Sequence, residues 1–284
     1  MYAITGVTGH VGGATARELL DGGAAVRVVV RDPEKGREWS ERGAEVARAD
    51  FTDRTALAAA FAGCDGVFVM LPTIATATDA EHRAMADSIA AAVADSGVPH
   101  VVALSSIGAD LPDGTGPVRW LHHFEHRLRE SGARLTAVRP PHFQEKVETV
   151  LDAATGAGVY PVFSDDADVP TPMVATRDIG AAAAAALKSP PAASETVDLD
   201  APHYTERQVA DRLGAVLGRE LRVVTVPRPD WFATMTGGGV PPLLAAELVA
   251  LYDADNSHLL QPRGDRRVRC ATEIETTLRE VVRS

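Results

Sequence analysis

The feature that most constrains the fold of this chain is an alternation running through its first half. Short apolar or β-branched runs stand at 2–5, 25–31, 44–49, 66–71, 100–105 and 134–139, and each is followed by a helical pattern. The helical stretches stop at Gly22 and Gly23, Gly43, Gly63, Gly97 and Gly132. Glycine just past a helix supplies the left-handed turn that ends it. Asp32-Pro33 offers a capping carboxylate followed by a proline suited to a first helical turn. Strands that are apolar throughout need cover on both sides, so helices must lie on both faces of a parallel sheet. Six such units predict an α/β fold of the Rossmann type, a doubly wound parallel sheet with helices on both faces.

The pattern changes after Arg139. Residues 156–172 are rich in Gly, Pro and Asp and predict loops and short strands. Asp178 can cap an alanine-rich helix, 195–199 fits one more strand, and 205–217 reads as a capped amphipathic helix. Pro-Pro and Gly-Gly-Gly punctuate the tail, and a last helix follows Ala271. The expected division is a core over 1–150 and a smaller C-terminal substrate lobe over 151–284, with a strand and helix near 175–200 returning to the core.

Composition excludes several classes. With 45% hydrophobic and 24% charged residues, the chain is neither disordered nor fibrous. Its 28 Lys+Arg against 39 Asp+Glu leave a net charge of -11, which repels nucleic-acid phosphates and anionic lipid. No leader with a charged start and apolar core is visible, and no apolar run reaches the roughly 18 residues that span a bilayer, so a cytoplasmic location is expected. Cys64 and Cys270 are too few for a disulfide framework or a Cys-rich zinc site. Abundant Ala, Arg and Gly with only three lysines suggest a GC-rich bacterial genome.

The most informative segment is Thr5-Gly6-Val7-Thr8-Gly9-His10-Val11-Gly12-Gly13, which follows the first strand and opens the first helix. Gly6 permits the tight turn, Gly9 lets a pyrophosphate approach the backbone, and Gly12 lets helix and strand pack closely. The helix N-terminus then faces the negative charge. Thr5, Gly6, Thr8, Gly9, His10, Val11 and Gly12 are therefore candidate dinucleotide contacts, His10 by packing or touching phosphate. Arg31 ends the second strand about 20 residues past the loop, where a side chain meets the adenosine ribose. An arginine there accommodates the 2′-phosphate of NADP, and Lys35 and Arg37 add positive charge. Asp32 argues for NAD(H), but it has a competing role as a cap. NADP(H) is the expected cofactor and NAD(H) the less favoured one.

Thr-Gly-x-Thr-Gly-x-x-Gly in this order of strands resembles the NmrA-like branch of atypical short-chain dehydrogenase/reductases, which includes NAD(P)H:quinone reductases. The resemblance covers nearly the whole chain. Val30-Arg31-Asp32-Pro33, Asp50-Phe51, Arg139-Pro140-Pro141-His142-Phe143 and Arg177-Asp178-Ile179-Gly180 carry it. It implies Asp50 and Phe51 on the adenine side. It also places Leu71 and Pro72 beside the ribose, and Ser105 and Pro140 at strand ends near the nicotinamide. His142 and Phe143 leave the sixth strand at the carboxyl edge, where substrates bind.

Typical members of the wider superfamily use Tyr-x-x-x-Lys, the tyrosine moving the proton and the lysine lowering its pKa. The four tyrosines here, Tyr2, Tyr160, Tyr204 and Tyr252, are followed four residues later by Gly6, Ser164, Gln208 and Asn256. The motif is absent. On the expected fifth helix, Leu121, Phe124 and Leu128 should face the sheet, with His122, Glu125, His126 and Arg129 on the adjacent stripe. His122 and His126 have the spacing of the missing pair, and imidazole exchanges protons near neutral pH. The other reading of this stripe is a solvated polar face. Ser106 is a further candidate, donating to a substrate carbonyl. His-x-x-Glu-His also matches a zinc-peptidase pattern, but it lies in a crossover helix with no third ligand downstream, so no metal is expected.

The expected function is NADPH-dependent transfer of hydride to a small quinone, enone or ketone. Alternatives are a non-catalytic NADP(H)-sensing regulator docking on a protein partner, and a non-redox isomerase or dehydratase using the same cleft. A monomer and a homodimer are both compatible with the sequence.

Overall fold

The computed structural model describes residues 1–283. The first half alternates as its pattern requires: β1 (Tyr2–Thr5), α1 (His10–Asp21), β2 (Val26–Val30), α2 (Arg37–Glu41), β3 (Glu45–Arg48), α3 (Arg54–Phe61), β4 (Gly66–Met70), α4 (Asp79–Ser96), β5 (His100–Leu104), α5 (Val118–Arg129) and β6 (Arg134–Arg139). The second half adds β7 (His142–Phe143), β8 (Val159–Val162), β9 (Thr171–Val174), α6 (Thr176–Lys188), β10 (Glu195–Asp200), β11 (His203–Tyr204), α7 (Glu206–Leu217) and β12 (Arg222–Thr225). It closes with α8 (Trp231–Gly237), α9 (Pro242–Asn256), β13 (Arg266–Arg269) and α10 (Ile274–Val281).

Eight strands form the central sheet in the order β13-β10-β6-β5-β4-β1-β2-β3, all parallel. The strand order reverses between β1 and β4, and ligands of such sheets bind outside the carboxyl edge at that reversal. Alternation along β4 sends Val67 and Val69 to one face, where Phe61, Ile89, Phe124 and Leu128 of α3, α4 and α5 are fully buried. It sends Phe68 to the other, with Leu19 of α1 and Ile179 and Leu187 of α6. Each such side chain contributes roughly 1.5–3 kcal/mol by leaving water. Helices α1 and α6 approach closely because Gly180 has no side chain: a Cβ there would lie 2.5 Å from the Ala14 Cβ.

Two local expectations need correction. Asp178 lies inside the first turn of α6 and does not cap it; its carboxylate accepts from the Thr272 amide (3.0 Å) and hydroxyl (2.6 Å). Glu145 satisfies the helix start instead, accepting from the amide and hydroxyl of Thr176. The second is β13, which the pattern did not predict. Its sequence, Arg-Arg-Val-Arg, has one apolar residue, as an edge strand partnered on one side by β10 tolerates. A separate three-stranded sheet, β11-β9-β7, and the pair β12-β8 build the lobe beyond the carboxyl edge.

Candidate dinucleotide and substrate site

The loop after β1 is shaped by its glycines. Gly6 takes a φ of +67°, and the Gly9 amide donates to its carbonyl at 3.0 Å. A Cβ on Gly12 would lie 2.4 Å from the Gly6 oxygen and 2.6 Å from the Thr5 oxygen. Gly9 is the N-cap of α1 and brings no side chain of its own to the helix end. The first-turn amides of α1, from His10, Val11 and Gly12, therefore lack intrahelical acceptors and are open to an anion.

A cavity of about 320 Å³ opens beside this loop, at the carboxyl ends of β1, β2 and β3. Thr5, Gly6, Val7 and Thr8 form one wall, Arg31, Asp32 and Lys35 another, and Ala49, Phe51 and Leu57 a third. Asp32 accepts from the Glu34 amide at 3.1 Å, capping the turn Pro33–Gly36, so its carboxylate is engaged by the backbone. Among the described residues, the Arg31 and Lys35 cations on that rim have no salt-bridge partner. Asp50 stands apart from the lining and folds onto its own turn, accepting from the amide (2.9 Å) and hydroxyl (2.7 Å) of Thr52. Those two bonds hold its carboxyl below the usual range. His10 is on the outer side of the loop, its Nε2 3.2 Å from Glu148 of the 3-10 turn Gln144–Val150.

The expected residues over β4, β5 and β6 are less uniform. Leu71 is buried in the core, and Pro72 follows it at the rim. Ser105 donates to Glu125 at 2.6 Å, and Glu125 accepts two further bonds at 2.8 Å from the Arg139 guanidinium. All three are almost fully buried. Burial disfavours the Arg139 charge, but bonding to Glu125 more than offsets this and holds its pKa up. Helix α5 thus departs from its expected stripe: Glu125 faces the sheet beside Phe124, because a buried arginine on β6 neutralises it. The His-x-x-Glu-His pattern loses its carboxylate to this pair.

Ser106 donates to the Ile107 carbonyl at 3.0 Å, and the Pro140 carbonyl accepts from the Ile107 amide. His122 Nδ1 lies 2.9 Å from the Ala109 carbonyl, which only accepts, so Nδ1 carries a proton and donates it there. His126, one turn further along α5, is 68% exposed and pairs with Glu130 at 3.3 Å in solvent. His122 and His126 therefore do not share one environment.

Beyond β6 the expected substrate residues Phe143 and His142 are joined by groups that no local pattern announced. Phe143, like Met70 and Leu104 at the strand ends, packs against the apolar cluster on the α1–α6 face of the sheet. His142 Nε2 lies 3.2 Å from Asp255 on α9. Lys146 pairs with Glu206, which also accepts from the Tyr160 hydroxyl at 2.8 Å. Burial opposes charge on both members of the Lys146–Glu206 pair, yet each is held ionised by the other. The same burial, with Glu206 as neighbour, pushes the Tyr160 phenol well above its ordinary value.

A family model described as NmrA-like matches residues 2–279. The NAD(P)H azoreductase of Xenophilus azovorans is 30% identical over 254 residues, covering 89% of this chain and 86% of that one. Quinone oxidoreductase 2 of Escherichia coli (strain K12) is 27% identical over 252 residues, covering 86% of this chain and 84% of that one. Among solved structures, the Citrobacter sp. triphenylmethane reductase complexed with NADP(H) superposes with a TM-score of 0.78 at 22% identity, over 93% of each chain. No helix among the described residues is long and apolar enough to cross a membrane. The continuous match from the phosphate-binding loop to the last helix, on a sheet of this order, establishes that the chain belongs to the NmrA-like family.

Proposed function

We propose that this protein is an NADPH-dependent reductase of small quinones and related conjugated acceptors. The observation that carries the reading is the 320 Å³ cavity, where a glycine-built helix N-terminus faces a rim of two cations with the adjacent carboxylate capped. That donor set fits a phosphorylated dinucleotide. The amides of the α1 first turn would hold the pyrophosphate, Phe51 would flank the adenine, and Arg31 and Lys35 would take the 2′-phosphate. When bound, the reduced nicotinamide supplies a hydride. The chain's own contribution is to orient the acceptor over the carboxyl edge and to exclude water. The azoreductase and quinone oxidoreductase names of the relatives support the acceptor class. A quinone suits a site without Tyr-x-x-x-Lys, because aromatisation stabilises its reduced form. His122 Nε2, Ser106 and His142 remain candidates to contact the acceptor.

The test is titration of the purified protein with NADPH and NADH, following quenching of tryptophan fluorescence, with calorimetry as a cross-check. NADPH should bind more tightly than NADH, and Arg31→Asp should weaken NADPH by about 10–100-fold, or roughly 1.4–2.7 kcal/mol. Failure to bind any dinucleotide overturns the reading. Binding without NADPH consumption across a panel of quinones, azo compounds and enones overturns the reductase assignment and leaves a cofactor-binding regulator.

A further inference from the structure

Reduction of a quinone or enone needs one more proton than the hydride carries. A donor over the carboxyl edge speeds the step by supplying that proton in place, and α5 has no tyrosine to give it. Tyr2 opens β1 at the opposite edge of the sheet. Tyr160 donates its hydroxyl to Glu206, and Tyr204 donates to Glu273. The Tyr252 hydroxyl makes no hydrogen bond among the described residues.

Tyr252 stands on α9, and two contacts place that helix over the exits of β5 and β6. Asp255, one turn along from Tyr252, meets His142 just past β6. Ala254 packs against Ile107 just past β5. The Tyr252 ring is clamped on two sides. It stacks on Phe163 at 5.6 Å and 10°, and meets Trp231 edge-on at 6.0 Å and 85°. Trp231 is itself fixed, its Nε1 donating to the Val226 carbonyl at 2.7 Å. A phenol held this way has little freedom to lose on meeting a flat aromatic ligand. Lys146 is its charged neighbour from the turn after β7. Burial raises the Tyr252 pKa, Lys146 pulls it back, and Glu206 and Asp255 oppose that pull. The phenol is therefore protonated at neutral pH and able to donate.

We propose that Tyr252 is the proton donor of this reductase. From α9 it supplies the phenol that α5 lacks. The assignment rests on the reductase reading above. In the step, the acceptor gains two electrons and one proton as hydride from the reduced dinucleotide. The Tyr252 O–H bond breaks as an O–H bond forms on the acceptor oxygen. Water returns a proton to the phenolate, so one solvent proton is consumed per turnover.

The experiment compares wild type and Tyr252→Phe with 1,4-naphthoquinone. The readouts are NADPH affinity, quenching of Trp231 by the quinone in the presence of NADP⁺, kcat, and the solvent deuterium isotope effect on kcat. Tyr252→Phe should keep both affinities within about twofold and lower kcat by about 10²-fold, the lower range for a positioned acid, with a changed isotope effect. An unchanged kcat and isotope effect in Tyr252→Phe overturn the assignment while leaving the reductase reading intact. Loss of quinone quenching in parallel with kcat also overturns it, because Tyr252 is then only a wall of the pocket. A wild type that binds no dinucleotide overturns both.

Discussion

The two halves of the cleft are built differently. The dinucleotide half comes from one continuous stretch, β1 through α3, and uses mainly backbone, with glycines, first-turn amides and a capped turn, to which Arg31, Lys35 and Phe51 add side chains. The half over β5 and β6 is assembled from α5, β6, the turn after β7, α7 and α9, and uses side chains. Many of those are already committed to one another, as Ser105–Glu125–Arg139 and Lys146–Glu206–Tyr160 show. A backbone site tolerates variation around it, whereas a side-chain site has polar groups that serve folding and function at once.

The largest expected break of this contrast is Glu125→Ala. It leaves Arg139, 6% exposed, without its paired carboxylate and should cost about 3–5 kcal/mol, read as a lowered urea midpoint. Replacing both residues by apolar ones of similar size should recover most of that, which would mark the pair as structural. If Glu125→Ala unfolds at the wild-type midpoint, the pair is not what holds α5 to the sheet.

Next is a pH effect beneath the same half. His100, buried at the start of β5, is pulled down to about 4 from 6.5, by burial first and then by Arg134. Its Nε2 meets Thr136 at 3.0 Å. The unfolded chain therefore binds a proton that the folded chain refuses between pH 6.5 and about 4. Stability is full above 6.5 and should fall by roughly 3 kcal/mol as pH drops through that window. His100→Gln should flatten that slope in urea unfolding followed from pH 7 to 4.

On the dinucleotide side, Gly12→Ala puts a Cβ against two carbonyls of the loop and should cost about 1–3 kcal/mol. NADPH affinity should fall with it, because the helix must move off the strand. Retained affinity would show that the loop can widen. The smallest expected effect is His126→Ala, a change of under about 0.5 kcal/mol in stability, since exposed pairs contribute little. A large loss of kcat in that variant would restore His126 to the catalytic machinery.

Legibility followed the same division. The strands β1 to β6, the glycine loop and the helix stops were all readable, because each is a requirement of neighbouring residues on one another. The capping boxes at Thr78–Glu81 and Thr205–Gln208 are of the same kind. The reading of α5 placed its apolar seam correctly at Phe124 and Leu128 but set Glu125 on the polar stripe with His122 and His126. No local signal says that a carboxylate will be met by an arginine from the next strand. The role of Asp178 failed for the same reason: its partner, Thr272, lies 94 residues away. The edge strand β13 was invisible because an edge needs no apolar pattern.

The sequence by itself determined the backbone: where the chain turns, where helices begin and end, and that one helix N-terminus faces a phosphate-sized gap. Glycine freedom, capping and hydrophobic period act over a few residues, so they can be read in order. Only the tertiary structure decided which charges are buried together and which tyrosine hydroxyls are taken by carboxylates. Those depend on side chains brought close from opposite ends of the chain, where the cost of desolvation makes each group choose a partner.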